Sequence, residues 1–100
     1  MSKERVLLLG ASGTMGYEAF KELWKRRDRY DLIVLARPSD KNKSLFRPYE
    51  QEAGIAPIAG RGVVQGNGFK IVWGDATEYG DVEAAVQGVD WVLNAMAFIS

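Results

Sequence analysis

Three glycines spaced three residues apart mark the segment of this chain with the clearest chemistry. Gly10, Gly13 and Gly16 lie in the run Gly-Ala-Ser-Gly-Thr-Met-Gly, which follows the apolar residues 6–9 and precedes an amphipathic helix beginning near Thr14. A strand that ends in such a turn directs backbone N–H groups and the positive end of a helix dipole to one point, where an anionic group such as a pyrophosphate binds. Gly10 allows the turn, Gly13 allows phosphates to approach the backbone, and Gly16 allows the helix to pack close to the sheet. We therefore predict a phosphate-binding turn, with a plain glycine turn as the alternative.

The composition rules out several kinds of chemistry. The 100 residues include no cysteine and no histidine, which excludes disulfides, thiolate nucleophiles, imidazole acid–base catalysis and thiolate or imidazole metal sites, and we assign no metal ligand. Thirteen basic residues balance thirteen acidic ones, so the charge indicates neither a nucleic-acid partner nor a membrane partner. Because we find no signal-peptide pattern and no apolar run approaching ~20 residues, we expect a cytoplasmic protein.

Hydrophobic runs that alternate with amphipathic segments indicate the elements that must position the glycine turn. The interval 38–68 is predicted as a short, broken helix that begins at Ser39 or Asp40 and is interrupted at Pro48, followed by a loop. The alternation predicts an α/β fold, namely the first half of a doubly wound, Rossmann-like parallel sheet with strand order 3-2-1-4. The predicted strands are 5–9, 31–36, 69–73 and 89–93, and the predicted helices are 14–27 and 79–87.

Four segments make the chain resemble the extended short-chain dehydrogenase/reductases, the NAD(P)-dependent epimerase/dehydratase family. The glycine spacing in residues 10–16 is similar to that of the family's turn. Gly-Asp-Ala-Thr at 74–77 is similar to its segment after the third strand, and Gly-Val-Asp-Trp-Val-Leu at 88–93 is similar to its run into the fourth strand. Asn-Ala-Met-Ala at 94–97 stands at the place of its small-residue segment. The resemblance implies an NAD(P)-binding Rossmann domain, of which residues 1–100 would be the N-terminal part.

The resemblance also implies a role for named residues in holding the dinucleotide. Asp75 would accept a hydrogen bond from the adenine amino group, with Ala76 beside the ring; from the residues alone, a turn or cap role for Asp75 is the alternative. The pyrophosphate would be held through the backbone and hydroxyl groups of Ala11, Ser12, Gly13, Thr14 and Met15, between Gly10 and Gly16. The adenosine ribose, or the path toward the nicotinamide, would be lined by Ala95, Met96 and Ala97.

Arg37, at the end of the second predicted strand, bears on the choice of cofactor. An acidic residue at this position would bind the 2′-hydroxyl of NAD, whereas a guanidinium pairs with a 2′-phosphate. Lys41 and Lys43 follow closely, and no acidic residue comes between Arg37 and Asp40. We therefore favour NADP(H) over NAD(H), with a solvent-facing arginine before a proline turn as the alternative.

The catalytic groups that the resemblance implies, a Ser or Thr and a Tyr-x-x-x-Lys pair after the fourth strand, are not identified in this chain. Tyr17 and Lys21 have the spacing but lie on the first predicted helix, so we interpret that match as coincidence and assign no catalytic residue. We expect the chain to be the cofactor-binding part of a longer epimerase, dehydratase or reductase for a nucleotide sugar or small carbonyl compound, and to be inactive alone. One alternative is a non-catalytic NADP(H)-sensing protein of the same fold. A second is a binding module for another adenine nucleotide or S-adenosylmethionine, against which Arg37 argues.

The fourth predicted strand suggests a protein partner. Residues 89–93 would form an apolar sheet edge with free backbone groups, which is prone to pair with another strand. We expect this chain either to form a homodimer through that edge or to be marginally stable.

Overall fold

The computed structural model, which describes residues 3–95, contains one mixed sheet with helices on both faces. The strand order is β3-β4-β2-β1-β5, in which β4, β2, β1 and β5 are parallel and β3 is antiparallel to β4. The predicted α/β fold and the predicted 3-2-1-4 order of the parallel strands are therefore confirmed, and β3 is an additional edge strand. The elements are β1 Glu4–Leu9, α1 Thr14–Trp24, β2 Tyr30–Ala36, α2 Asp40–Ala53, β3 Gly62–Gln65, β4 Phe69–Trp73, α3 Tyr79–Val86 and β5 Trp91–Asn94.

Helix α2 differs from its prediction, because it continues through Pro48 for 14 residues. The Ser39 side chain accepts a hydrogen bond from the Asn42 backbone N–H at 3.2 Å, as expected of an N-cap, and Gly54 ends the helix in the left-handed conformation with φ of +78°. A proline inside a helix removes one backbone hydrogen bond. The helix persists because packing compensates for that loss. Its buried residues recur at helical spacing, and one of them, Phe46, is fully buried.

The predicted loop after α2 contains strand β3, which was missed because glycines surround it. Val64 is buried, and it lies opposite Ile71 in the antiparallel register with β4. Gly68 has φ of +74°, and the Gly66 N–H donates to the Phe69 carbonyl at 2.8 Å, so these glycines form the turn of a β-hairpin. The glycines therefore shape the connection between two strands instead of preventing a strand.

Successive residues of the central strands alternate between two hydrophobic clusters. Helices α1 and α2 cover the larger cluster, to which Leu8 and Val34 contribute, and α3 covers the smaller one, to which Leu7 and Ile33 contribute. This arrangement buries both faces of the central strands β1 and β2, as their continuous apolar runs indicate, whereas the parallel edge strand β5 is exposed. No helix within residues 3–95 has the length and apolarity that crossing a membrane requires.

Candidate functional site

The carboxyl ends of β1, β2 and β4 lie side by side, and the residues after them form the candidate site. In the parallel register Leu9 is opposite Leu35, and Ala36 is opposite Trp73. The Gly74 N–H donates to the Ala36 carbonyl at 2.9 Å, which continues the ladder beyond the strand end. The first residues past the strands therefore meet at one edge of the sheet, which is where open α/β sheets bind their ligands.

The glycine turn between β1 and α1 is closely packed. Gly10 has φ of +80°, which favours glycine, and its carbonyl accepts the Gly13 N–H at 3.0 Å. A Cβ at Gly16 would lie 1.7 Å from the Gly10 carbonyl oxygen and 3.1 Å from Ala11 Cα. Gly16 therefore allows α1 to pack closely against the turn at the end of β1.

The start of α1 presents backbone donors that no side chain caps. Gly13 is the N-cap and makes no side-chain cap hydrogen bond, and the first turn contains no acidic residue. The first N–H groups of a helix have no partner within the helix, so these donors and the helix dipole suit an anionic ligand. Thr14 and Met15 are exposed beside them, but Ala11 is fully buried. Any contact from Ala11 to a ligand would therefore come from its backbone.

Asp75 is held by a local turn. Its Oδ1 accepts hydrogen bonds from the backbone N–H and the Oγ1 of Thr77, each at 2.8 Å. These hydrogen bonds lower the pKa of the Asp75 carboxyl, and the positive charge of Arg37 adds to the effect. Its Oδ2 faces the Arg37 Nε at 3.9 Å. The turn role and a ligand-binding role are therefore compatible, because each uses a different oxygen of the same carboxylate.

Arg37 combines a fixed backbone with an exposed side chain. Its carbonyl accepts the Asn42 Nδ2–H at 3.0 Å and the Ser39 N–H at 2.9 Å. Its side chain is 73% exposed and makes the long contact to Asp75. A guanidinium so placed is available to an anion at the end of β2.

A cleft of about 370 Å³ joins several of these residues. Of the predicted site residues, it brings together Gly10, Ser12, Arg37, Asp75 and Ala76. Outside its lining are Ala11, Gly13, Thr14, Met15, Gly16 and Ala95.

Two of the predicted ribose-lining residues cannot be placed. The Ala95 N–H donates to the Leu9 carbonyl at 2.9 Å, so Ala95 adjoins the start of the glycine turn. Met96 and Ala97 lie outside the described residues.

Asn42 and Asp81 contribute to this region but were not predicted as site residues. Asn42 is buried and lines the cleft, and no pattern in the sequence distinguished it. Asp81 stands near the start of α3 and has a side chain that can cap a helix, but the N-cap is Glu78, which makes no side-chain cap hydrogen bond. Instead Asp81 Oδ2 accepts the Asp75 backbone N–H at 2.8 Å.

Solved structures share this fold at low sequence identity. One, the X-ray structure of Pen from Bacillus thuringiensis, matches with a TM-score of 0.69 and 17% identity over 99% of this chain and 27% of that chain. Another, a Rossmann-fold NAD(P)-binding family protein from Shigella flexneri, matches with a TM-score of 0.61 and 21% identity over 97% of this chain and 39% of that chain. No protein-family model and no curated protein matches the chain. This chain therefore has a Rossmann fold, and it spans about a quarter to two fifths of the length of these solved structures.

Proposed function

We propose that this chain binds a nicotinamide dinucleotide, with NADP(H) preferred over NAD(H). The observation that carries the proposal is the convergence of Arg37 and Asp75 on one cleft, beside the uncapped start of α1. These groups supply a cation, a hydrogen-bond acceptor and backbone donors, which match the 2′-phosphate, the adenine amino group and the pyrophosphate. The neighbour from Shigella flexneri, which is described as NAD(P)-binding, supports the same proposal.

Each part of the dinucleotide has a residue suited to it in this proposal. Backbone donors of Ser12, Thr14 and Met15 would hold the pyrophosphate, Asp75 Oδ2 would accept from the adenine, and Arg37 would pair with the 2′-phosphate. A nicotinamide dinucleotide supplies hydride transfer when bound. The chain's own part is to bind and orient it.

We further propose that this binding serves an epimerase, dehydratase or reductase of the extended short-chain dehydrogenase type, acting on a nucleotide sugar or a small carbonyl compound. We assign no catalytic residue in this chain. The Tyr17 hydroxyl lies 2.7 Å from the Tyr49 hydroxyl within an aromatic cluster, and Lys21 pairs with Glu18 at 3.0 Å. These contacts give Tyr17 and Lys21 packing and surface roles. A non-catalytic NADP(H) sensor of the same fold remains the alternative, and a downstream Tyr-x-x-x-Lys in the source protein would decide for the enzyme.

Calorimetric titration with NADP⁺ and NAD⁺ tests the proposal. We expect the unmodified protein to bind NADP⁺ more tightly, and Arg37→Ala to weaken NADP⁺ about tenfold or more while changing NAD⁺ less than about twofold, because only the former has the 2′-phosphate. Arg26→Ala is the matched control, since Arg26 is an exposed arginine that pairs with Glu22 on α1. Equal weakening of both dinucleotides would remove the proposed NADP(H) preference. Absence of binding to either would overturn the proposed function.

A further inference from the structure

A clamp of two side chains holds the backbone of Asp75 from outside its own turn. Asp81, in the first turn of α3, accepts the Asp75 N–H through Oδ2 at 2.8 Å. The same oxygen is contacted by Nη2 of Arg61. We call Arg61 and Asp81 the Asp75 clamp.

Gly74 makes the approach of Asp81 possible. A Cβ at Gly74 would lie 2.3 Å from Asp81 Oδ2 and 2.4 Å from its Cγ. Because atoms cannot pack that closely, the Asp81 carboxylate occupies the space that a side chain at position 74 would fill. The glycine before Asp75 therefore serves the clamp, and Asp81 belongs to the turn after β4 as much as to α3.

Strand β3 brings Arg61 to this place. Arg61 immediately precedes Gly62, which lies opposite Trp73, the last residue of β4. The antiparallel ladder therefore sets the guanidinium beside the carboxyl end of β4, within reach of α3. Its positive charge balances the Asp81 carboxylate, whose side chain is 22% exposed. Charge-assisted contacts of this kind are stronger than those between neutral groups.

The hydrogen bonds around Asp75 leave one atom directed away from the turn. Oδ1 accepts two hydrogen bonds from Thr77, and the backbone N–H donates to Asp81. Oδ2 takes part in neither and faces the cleft side near Arg37. With the backbone and one oxygen both fixed, the position of the second oxygen is determined.

We propose that Arg61 and Asp81 are positioning residues for adenine selectivity: they fix the Asp75 backbone so that Oδ2 of its carboxylate is presented to the adenine amino group. This inference rests on the proposed dinucleotide binding. It assigns the unpredicted strand β3 a part in ligand recognition, since β3 supplies Arg61.

The test compares two ligands that differ at the adenine amino group. NADP⁺ and its hypoxanthine analogue, in which that amino group is replaced by oxygen, are titrated against the unmodified protein, Asp81→Ala, Asp81→Asn and Arg61→Gln. We expect Asp81→Ala to weaken NADP⁺ about tenfold and the hypoxanthine analogue less than about twofold, because the lost hydrogen bond affects only the group that reads the amino substituent. Asp81→Asn keeps an oxygen acceptor and should restore most of the discrimination. Asp28→Ala, which removes an exposed carboxylate in the turn after α1, is the control.

Hydrogen exchange of the Asp75 amide provides a readout that needs no ligand. We expect exchange to accelerate about tenfold or more in Asp81→Ala, and less in Arg61→Gln, because the amide loses its acceptor in the first variant only. Equal weakening of both ligands in Asp81→Ala, or unchanged Asp75 exchange, would overturn the clamp while leaving dinucleotide binding intact. Failure of the unmodified protein to bind either ligand would overturn the proposed function, and the adenine role of the clamp with it.

Discussion

The hydrophobic clusters on the two faces of the sheet differ in the types of side chain that form them. Under α1 and α2 the core contains a cluster of aromatic rings among aliphatic residues: the Phe20 ring lies 5.2 Å from Phe46, 4.8 Å from Tyr49 and 5.6 Å from Phe69, centroid to centroid. Under α3 the buried residues are aliphatic: Leu7, Ile33, Leu35, Val72 and Ala85. Interlocked rings bury large areas in defined geometries, whereas short side chains under one eight-residue helix fill a thin layer. The comparison indicates that the aromatic face carries most of the stability.

Neighbouring leucines on β1 provide the sharpest test of this difference. Leu8 is 0% exposed on the aromatic face and Leu7 is 1% exposed on the aliphatic face. We expect Leu8→Ala to lower the free energy of unfolding by about 4 kcal/mol and Leu7→Ala by about 2.5 kcal/mol, because rings cannot collapse into the cavity as a thin aliphatic layer can. Urea unfolding followed by circular dichroism measures both. Equal losses would mean that the two faces contribute alike.

An alkaline pH dependence of stability is expected from the aromatic face. Burial, together with the hydrogen bond to Tyr17, raises the pKa of Tyr49 from 10.0 to about 12. The unfolded chain therefore loses this proton first, and the stability that Tyr49 contributes is present below pH 10 and declines as the pH rises toward 12. We expect Tyr49→Phe to be less stable than the unmodified protein by about 1 kcal/mol at neutral pH, a difference that closes in that alkaline range.

Denaturant titrations at several pH values measure the Tyr49 effect. Tyr79→Phe is the control, because the Tyr79 side chain is 74% exposed and lies outside both clusters. A constant difference between Tyr49→Phe and the unmodified protein across the alkaline range would contradict the assignment.

Strand β5 lies at an edge of the sheet where helices cover neither face well. Trp91, Val92 and Leu93 are 59%, 52% and 45% exposed, and β5 ends the sheet. Of the two expectations from the sequence, self-association through that edge or marginal stability, we propose the first. Val92→Lys should raise the dimer dissociation constant about tenfold while changing the stability of the fold by less than about 0.5 kcal/mol, because an edge charge opposes strand pairing and removes little packing.

Sedimentation equilibrium measures that association. Val63→Lys is the matched control, since Val63 is also 52% exposed but lies on the opposite edge, in β3. A monomeric unmodified protein, or equal effects of the two variants, would contradict association through β5.

The parallel strands and the glycine turn could be predicted because their signals are local. The parallel strands are short, mostly apolar runs, and the turn follows one of them directly, so neighbouring residues carry the information. The path of residues 38–68 could not be predicted, because its signals conflict locally and packing decides between them. Pro48 disfavours a helix in α2, but the burial of Phe46 stabilises it. The glycines around residues 62–65 disfavour a strand, but pairing with β4 stabilises β3.

The site also contains residues that could be predicted and residues that could not. Arg37 was predicted from its position after the second strand and Asp75 from the family resemblance, and the cleft brings them together. Arg61 and Asp81 are 20 residues apart and meet only because β3 returns antiparallel beside β4. Such a long-range contact cannot be predicted from the spacing of neighbouring residues.

The contact between Gly16 and the Gly10 carbonyl has a consequence for the speed and reversibility of binding. Since α1 already packs against the turn, the turn cannot open without detaching the helix from β1, so the proposed dinucleotide would meet donors that are held in place before it arrives. Association should therefore proceed in one kinetic phase, at a rate set by encounter and not by rearrangement of the loop. Ligand release should likewise depend on the strength of the contacts and not on a slow opening of the protein.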